Sequence, residues 1–207
     1  GSCKPLLYSW IMATVSEPAT LLILAGGASR RMGRPKALLP VGNSTLIEWI
    51  ACRLGPGFER LLVSAGEEAQ VPAALRSHLV RDLHAGAGPL AGIEAGLAAS
   101  PHDVLVAVAC DMPWVGTDLV RRLADLSSGH DAAVPRLRGR PEPACAAYRR
   151  SSAAAIGRAL AGGQFKAARV LEELDVRWLD HEAADQFRNL NTPDEYEGFL
   201  DAVRKKG

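Results

Sequence analysis

Leu21-Leu22-Ile23-Leu24-Ala25-Gly26-Gly27-Ala28-Ser29-Arg30-Arg31-Met32-Gly33-Arg34-Pro35-Lys36-Ala37-Leu38-Leu39 decides how the rest of the chain is read. A short apolar run bounded by glycine has the pattern of a central strand in a parallel sheet, buried on both faces. Gly26 and Gly27 lack a Cβ, so their backbone can approach a ligand closely and has access to positive φ. Successive backbone N–H groups in such a turn form an anion-binding concavity. Arg30, Arg31 and Lys36 add positive charge directly behind it. A strand feeding this loop suits a polyphosphate. The spacing is neither G-x-G-x-x-G nor a glycine-rich loop closed by Gly-Lys-Ser/Thr, so the usual dinucleotide and P-loop signatures are absent. The competing reading is an ordinary strand-to-loop turn with solvated arginines.

Outward from this stretch, strand and helix patterns alternate. Asn43-Ser44-Thr45 can cap a helix over Leu46–Arg53, which Gly55-Pro56-Gly57 would end. Arg60–Ala65 is a second strand. Glu67–Leu75 is a weak helix broken by Pro72, and Leu79–Arg81 is a short strand ending at Asp82. Leu90–Ala99 reads as a helix rich in small residues. Val104–Ala109 is the second strongly apolar strand, halting at Cys110-Asp111-Met112-Pro113, and Asp118–Leu126 follows as an amphipathic helix. Beyond it, Ala132–Val134, Ala144–Tyr148 and Val176–Leu179 are strand candidates, and helices are expected over Ser151–Leu160 and Ala167–Leu174. Thr192-Pro193-Asp194-Glu195 carries a cap, a first-turn proline and a capping box for a last helix running to about Lys205.

This alternation predicts an α/β fold: one mostly parallel, Rossmann-like sheet with right-handed crossovers and helices on both faces. Ligands of such sheets lie outside the carboxyl ends of the strands. Gly26, Asp82 and Asp111 each fall just after a predicted strand, so the topology predicts one shared site.

The 207 residues, 48% apolar and 23% charged, are enough for one domain with a sizeable core. The domain is expected over residues 19–207, behind a poorly ordered extension at 1–18 whose Gly1-Ser2 resembles an expression-tag remnant. A formal charge of +1 gives no general attraction to nucleic acid or membrane, so any basic site is local. The four cysteines have no C-x-x-C pair, and the expected setting is the reducing cytoplasm. No apolar run approaches the ~20 residues a membrane span needs. The five histidines lack metal-ligand spacing and read as structural or surface.

The pattern alone leaves two readings of Asp111. A carboxylate at a strand end can bind a hard cation, magnesium preferring one or two carboxylates together with substrate phosphates. It can equally satisfy backbone N–H groups of its own loop. Asn191 is likewise either a ligand or a routine residue before a helix start.

Leu24-Ala25-Gly26-Gly27, Ser29 to Gly33 and Lys36 to Leu39 resemble the signature loop of the nucleotidyltransferases. With Gly88-Pro89-Leu90-Ala91-Gly92, Cys110 to Pro113 and Asn189-Leu190-Asn191-Thr192-Pro193, they resemble the molybdenum cofactor guanylyltransferase family over about Leu21–Val203. That family transfers GMP from GTP to molybdopterin and releases pyrophosphate. The resemblance implies GTP contacts from Leu24, Ala25, Gly26, Gly27, Lys36, Ser64, Asp82 and Asp111, Ser64 standing where the family carries an asparagine. It implies catalytic roles for Arg31, Lys36 and Asp111, and magnesium on Asp111 and Asn191. It places the acceptor near Arg140, Lys166 and Asn189, where Glu142-Pro143 replaces the family's His-Pro. Proteins that handle the cofactor are further expected partners. A cytidylyltransferase acting on the same cofactor, a sugar-phosphate nucleotidylyltransferase and a nucleotide-binding module without catalysis are the alternatives.

Overall fold

The apolar run becomes strand β1 (Ala19–Leu24), every residue of it buried. In this computed structural model, the structure describes residues 15–26, 35–82, 84, 86–181 and 184–206. The alternation of its side chains splits the core. Leu21 and Ile23 enter one apolar cluster, and Leu22 and Leu24 enter the other, on the opposite face of the sheet. Burying each such side chain stabilises the fold by about 1.5–3 kcal/mol. That is why a strand in this position carries no charge.

A small antiparallel pair, β2 (Pro40–Val41) and β3 (Ser44–Thr45), leads into helix α1 (Leu46–Leu54). Thr45 and Glu48 form the capping box at its start: the Thr45 amide donates to Glu48 Oε2 at 2.7 Å. Strand β4 (Arg60–Ala65) follows, then strand β5 (Leu79–Arg81). Pro72 allows no continuous helix between them, and two 3-10 segments, Glu68–Gln70 and Ala73–His78, replace the single weak helix expected there. Helix α2 (Pro89–Ala99) starts on Pro89 after Gly88, whose φ of +65° and ψ of −150° only glycine adopts without strain. Strand β6 (Val104–Ala109) and helix α3 (Thr117–Leu126) complete the first half.

The second half contains strands β7 (Ala132–Leu137), β8 (Arg140–Pro141) and β9 (Cys145–Arg149) and helices α4 (Ala153–Ala161) and α5 (Ala167–Val170). Strand β10 (Val176–His181) and helix α6 (Pro193–Lys206) end it. Sheet order is β10-β7-β9-β6-β1-β4-β5, with β8 paired to β7. Pairs β1/β4, β1/β6, β4/β5 and β7/β10 are parallel, as expected. Strand β9 runs antiparallel to both β6 and β7. Residues 138–144 are too few for a crossover, which takes about a dozen or more. Instead Arg138 and Gly139, at φ +50° and +76°, form the two-residue turn of the β7/β8 hairpin. The strands therefore extend beyond the expected Ala132–Val134, taking in Arg136 on β7 and Arg140 on β8.

Helices α1, α3 and α6 cover one face and α2, α4 and α5 the other. Docking of α6 uses Phe199, fully buried between the rings of Trp49 and Trp114 at centroid distances of 5.1 and 5.2 Å, both edge-on. Of the N-terminal extension, residues 1–14 lie outside the described residues. Glu17 pairs with Arg149 at 2.6 Å, and the Ser16 amide donates to Asp125 at 2.9 Å. Among the described residues, no helix is long and apolar enough to cross a membrane.

Candidate functional site

Chain order reverses at β1: the segment after it goes to β4 on one side, and the segment after β5 returns to β6 on the other. Such a switch point opens a crevice beyond the strand ends. Here it is a cleft of about 830 Å³. Leu24, Ala25, Gly26, Lys36, Ser64, Asp82, Asp111 and Asn189 all line it.

At one end the charges converge. Lys36 opens a 3-10 turn (Lys36–Leu38), and its ammonium donates to Asp111 Oδ2 at 2.9 Å and to Asn191 Oδ1 at 2.8 Å. Both partners are fixed from behind. The Asp111 carbonyl accepts the Leu190 amide at 2.8 Å, which joins the strand end to the segment before α6. Glu195 Oε2 accepts the amides of Asn191 at 2.7 Å and Thr192 at 2.9 Å, so the helix cap also sets Asn191. These amide hydrogen bonds hold the Glu195 carboxyl below its usual range. The side chains of Lys36 and Asp111 are only 16% and 26% exposed, so the pair is shielded yet reachable.

The other end is built by β4 and β5. Ser64, itself buried, donates from Oγ to Asp82 Oδ1 at 2.5 Å. Burial pushes the Asp82 carboxyl above the usual aspartate value, and the Ser64 hydroxyl partly offsets the rise. A Cβ on Gly26 would stand 3.3 Å from Asp82 Oδ2. Gly26 does not take a positive φ, so glycine serves close approach there rather than a turn. The Ala25 amide already donates to the Ser64 carbonyl at 2.8 Å, leaving no N–H at that residue for a phosphate.

Arg53, in the last turn of α1, braces the loop behind Asp111. Its guanidinium lies 4.4 Å from the Trp49 ring centroid and donates to the carbonyls of Pro113 at 2.6 Å and Val115 at 3.3 Å. Two thiols lie deeper. Cys110, just past the end of β6, and Cys145, at the start of neighbouring β9, are both buried, and burial pushes each up to about 12.

Of the residues expected from sequence, Gly27 and Arg31 lie outside the described residues. Asn189 reaches the cleft, and its Oδ1 is buried without a hydrogen-bond partner among the described residues. Arg140 and Lys166 are exposed and do not line the cleft. His84, read from sequence as structural or surface, does line it, 3.4 Å from Glu94. Neither His84 nor the brace from Arg53 has a sequence signal. Each depends on which segments the folded chain brings together.

Comparison with known proteins places this geometry among relatives. Residues 21–180 match a family model described as the MobA-like NTP transferase domain. A probable molybdenum cofactor guanylyltransferase of Pelotomaculum thermopropionicum is 39% identical over 183 residues, covering 84% of this chain and 88% of the relative. A molybdenum cofactor guanylyltransferase of Cereibacter sphaeroides is 36% identical over 188 residues, covering 89% and 96%. The crystal structure of molybdopterin-guanine dinucleotide biosynthesis protein A from Archaeoglobus fulgidus superposes with a TM-score of 0.76 at 30% identity, covering 90% of this chain and 99% of that one.

Proposed function

Because the chain belongs to the MobA-like NTP transferase family, we propose that it is a nucleotidyltransferase that moves GMP from GTP to the molybdopterin form of the molybdenum cofactor, releasing pyrophosphate. The relatives suggest the substrates. The observation that carries the chemistry is the pairing of Lys36 and Asp111, both lining one cleft, with Asn191 held against the Lys36 ammonium beside them.

In this reading the triphosphate lies across the end of β1, with Lys36 neutralising its charge. The terminal phosphate of molybdopterin attacks the α-phosphorus in line. A new phosphorus–oxygen bond forms to the acceptor, the bond to the β-phosphate breaks, and pyrophosphate carries away the electron pair. The attacking oxygen is already anionic, so no side chain need remove a proton. The residues contribute position and charge neutralisation, the main requirements of such a transfer. Gly26 keeps the floor low enough for phosphate to approach. Apolar Leu24, Ala25 and Met112 limit water at the cleft floor.

The Asp111 carboxylate and the Asn191 amide oxygen already share one cation, the Lys36 ammonium, at 2.9 and 2.8 Å. Two hard oxygens beside a phosphate site fit magnesium, and these residues would hold it. When bound, the ion supplies further charge neutralisation on the phosphates.

The test is pyrophosphate release with each of the four nucleoside triphosphates, with and without molybdopterin. Release that requires both GTP and molybdopterin is expected. Release with CTP in place of GTP overturns the guanylyl reading, and release dependent on a sugar phosphate overturns the acceptor.

A further inference from the structure

We propose that Glu195 is a positioning residue for the transfer, acting through Asn191 rather than on the substrate. This rests on the metal site argued above and deepens it. Helices α1 and α6 both start with a capping box, and they use its glutamate differently. In α1, Glu48 Oε2 accepts from the amide and the hydroxyl of Thr45, each at 2.7 Å. In α6, Glu195 Oε2 accepts from the amide of Thr192 at 2.9 Å and reaches one residue further back, to the amide of Asn191 at 2.7 Å. A cap needs only the first of these bonds. The extra bond is the shorter one, and it falls on the residue whose side chain meets Lys36.

That bond completes a pinned segment. Successive amides are committed, Leu190 to the Asp111 carbonyl at 2.8 Å, then Asn191 and Thr192 to Glu195. Thr192 Oγ1 accepts the Glu195 amide in return at 3.3 Å. With the main chain held on both sides, the freedom left to Asn191 is in its side-chain torsions, and its Oδ1 stands 2.8 Å from the Lys36 ammonium.

The same helix start also grips the Lys36 side. The Tyr196 hydroxyl donates to the carbonyl of Pro40, just past the Lys36–Leu38 turn. Residues 190–196 therefore span the site from the end of β6 to the turn that carries Lys36. Magnesium tolerates little departure from octahedral geometry, so an oxygen offered to it beside Asp111 has to be held in place. Without Glu195 the main chain of Asn191 loses the tether nearest that oxygen.

The experiment titrates Mn2+ in the presence of GTP, without molybdopterin so that nothing turns over, and reads the metal by electron paramagnetic resonance. The wild type is compared with Glu195→Ala, Glu195→Asp, Glu195→Gln, Glu48→Ala, Asn191→Ala and the Glu195→Ala/Asn191→Ala double variant, each with a thermal melt. Glu195→Ala should lower Mn2+ affinity by about 10–100-fold, the usual cost of losing a group that orients a metal ligand. Glu195→Asp keeps the charge but falls one methylene short of the Asn191 amide, and should lose affinity too. Glu195→Gln keeps the reach and an accepting oxygen, and should match the wild type. Glu48→Ala removes the corresponding cap from α1 and should lower the melting temperature while leaving Mn2+ affinity unchanged. In the Asn191→Ala background, Glu195→Ala should add nothing.

Wild-type affinity in a folded Glu195→Asp overturns the proposal. So does a Glu195→Gln as weak as Glu195→Ala, which would make charge rather than reach the cause. A Glu48→Ala that loses as much metal reduces the effect to helix capping and overturns it as well, and so do losses at 195 and 191 that add fully. Asp111→Asn separates the inference from its premise. If that variant binds Mn2+ as tightly as the wild type, the metal site itself falls. If it loses the metal while Glu195→Ala and Glu195→Asp keep it, this inference alone fails.

Discussion

Replacing Lys36 with methionine keeps most of the side-chain volume and deletes the charge. Two effects separate in size. In the protein without ligand, the ammonium makes hydrogen bonds of 2.9 and 2.8 Å to a pair that water partly reaches. Screening reduces such an ion pair to about 1 kcal/mol of stability, a shift of a few degrees in melting temperature. In the reaction the same ammonium faces the charge developing on the phosphates inside a walled cleft. Removing one such preorganised donor typically costs about 3–4 kcal/mol, or about 10²–10³ in kcat. The assay is pyrophosphate release at saturating GTP and magnesium, paired with a thermal melt. A further readout needs no turnover. Lys36 occupies the two oxygens offered to the metal, so Lys36→Met should bind Mn2+ more tightly than the wild type when no nucleotide is present, as measured by electron paramagnetic resonance. A variant within threefold of wild-type kcat, or one with unchanged Mn2+ affinity, would refute the reasoning.

Asp111→Asn should abolish transfer with little effect on the melt, because the backbone bond from Leu190 does not use the side chain; activity within tenfold of wild type removes Asp111 from the chemistry. The Asp82 carboxyl binds its proton more tightly folded than unfolded, so it favours the folded state below its unfolded value near 3.8, and that contribution is lost as pH rises through the raised folded value. Melting temperatures of Asp82→Asn should therefore gain on the wild type as pH rises through that window, and a pH-independent difference contradicts the burial argument. Arg53→Met leaves the carbonyls of Pro113 and Val115 without their donor and should cost about 2–3 kcal/mol in denaturant unfolding, with kcat falling as the loop behind Asp111 loosens. An unchanged denaturation midpoint would show the brace to be dispensable.

The central strands were legible because their side chains face apolar layers on both sides, and only uninterrupted Leu, Ile, Val and Ala satisfy that environment. Gly26, Asp82 and Asp111 could be placed on one rim because a parallel sheet puts every carboxyl end on the same side. The antiparallel course of β9 was less visible. It depends on the shortness of the 138–144 link and on Arg138 accepting a left-handed conformation, which residue type hardly signals. Thr192 to Glu195 showed its capping box, but not that the box would hold Asn191 against Lys36, 155 residues earlier in the chain. The Ser64–Asp82 bond was hidden for the same reason. It is a contact across two strands.

The two buried thiols have a practical consequence. Cys110 and Cys145 flank the junction where the sheet changes direction, and with thiols near 12 neither offers a thiolate to an alkylating reagent at neutral pH. Once exposed Cys52 is replaced by alanine, iodoacetamide capture at these positions, read by peptide mass spectrometry, becomes a clock for openings of the sheet's middle. Because Cys110 adjoins Asp111, a nucleotide seated in the cleft should slow that clock, giving a binding signal that needs neither turnover nor an attached dye.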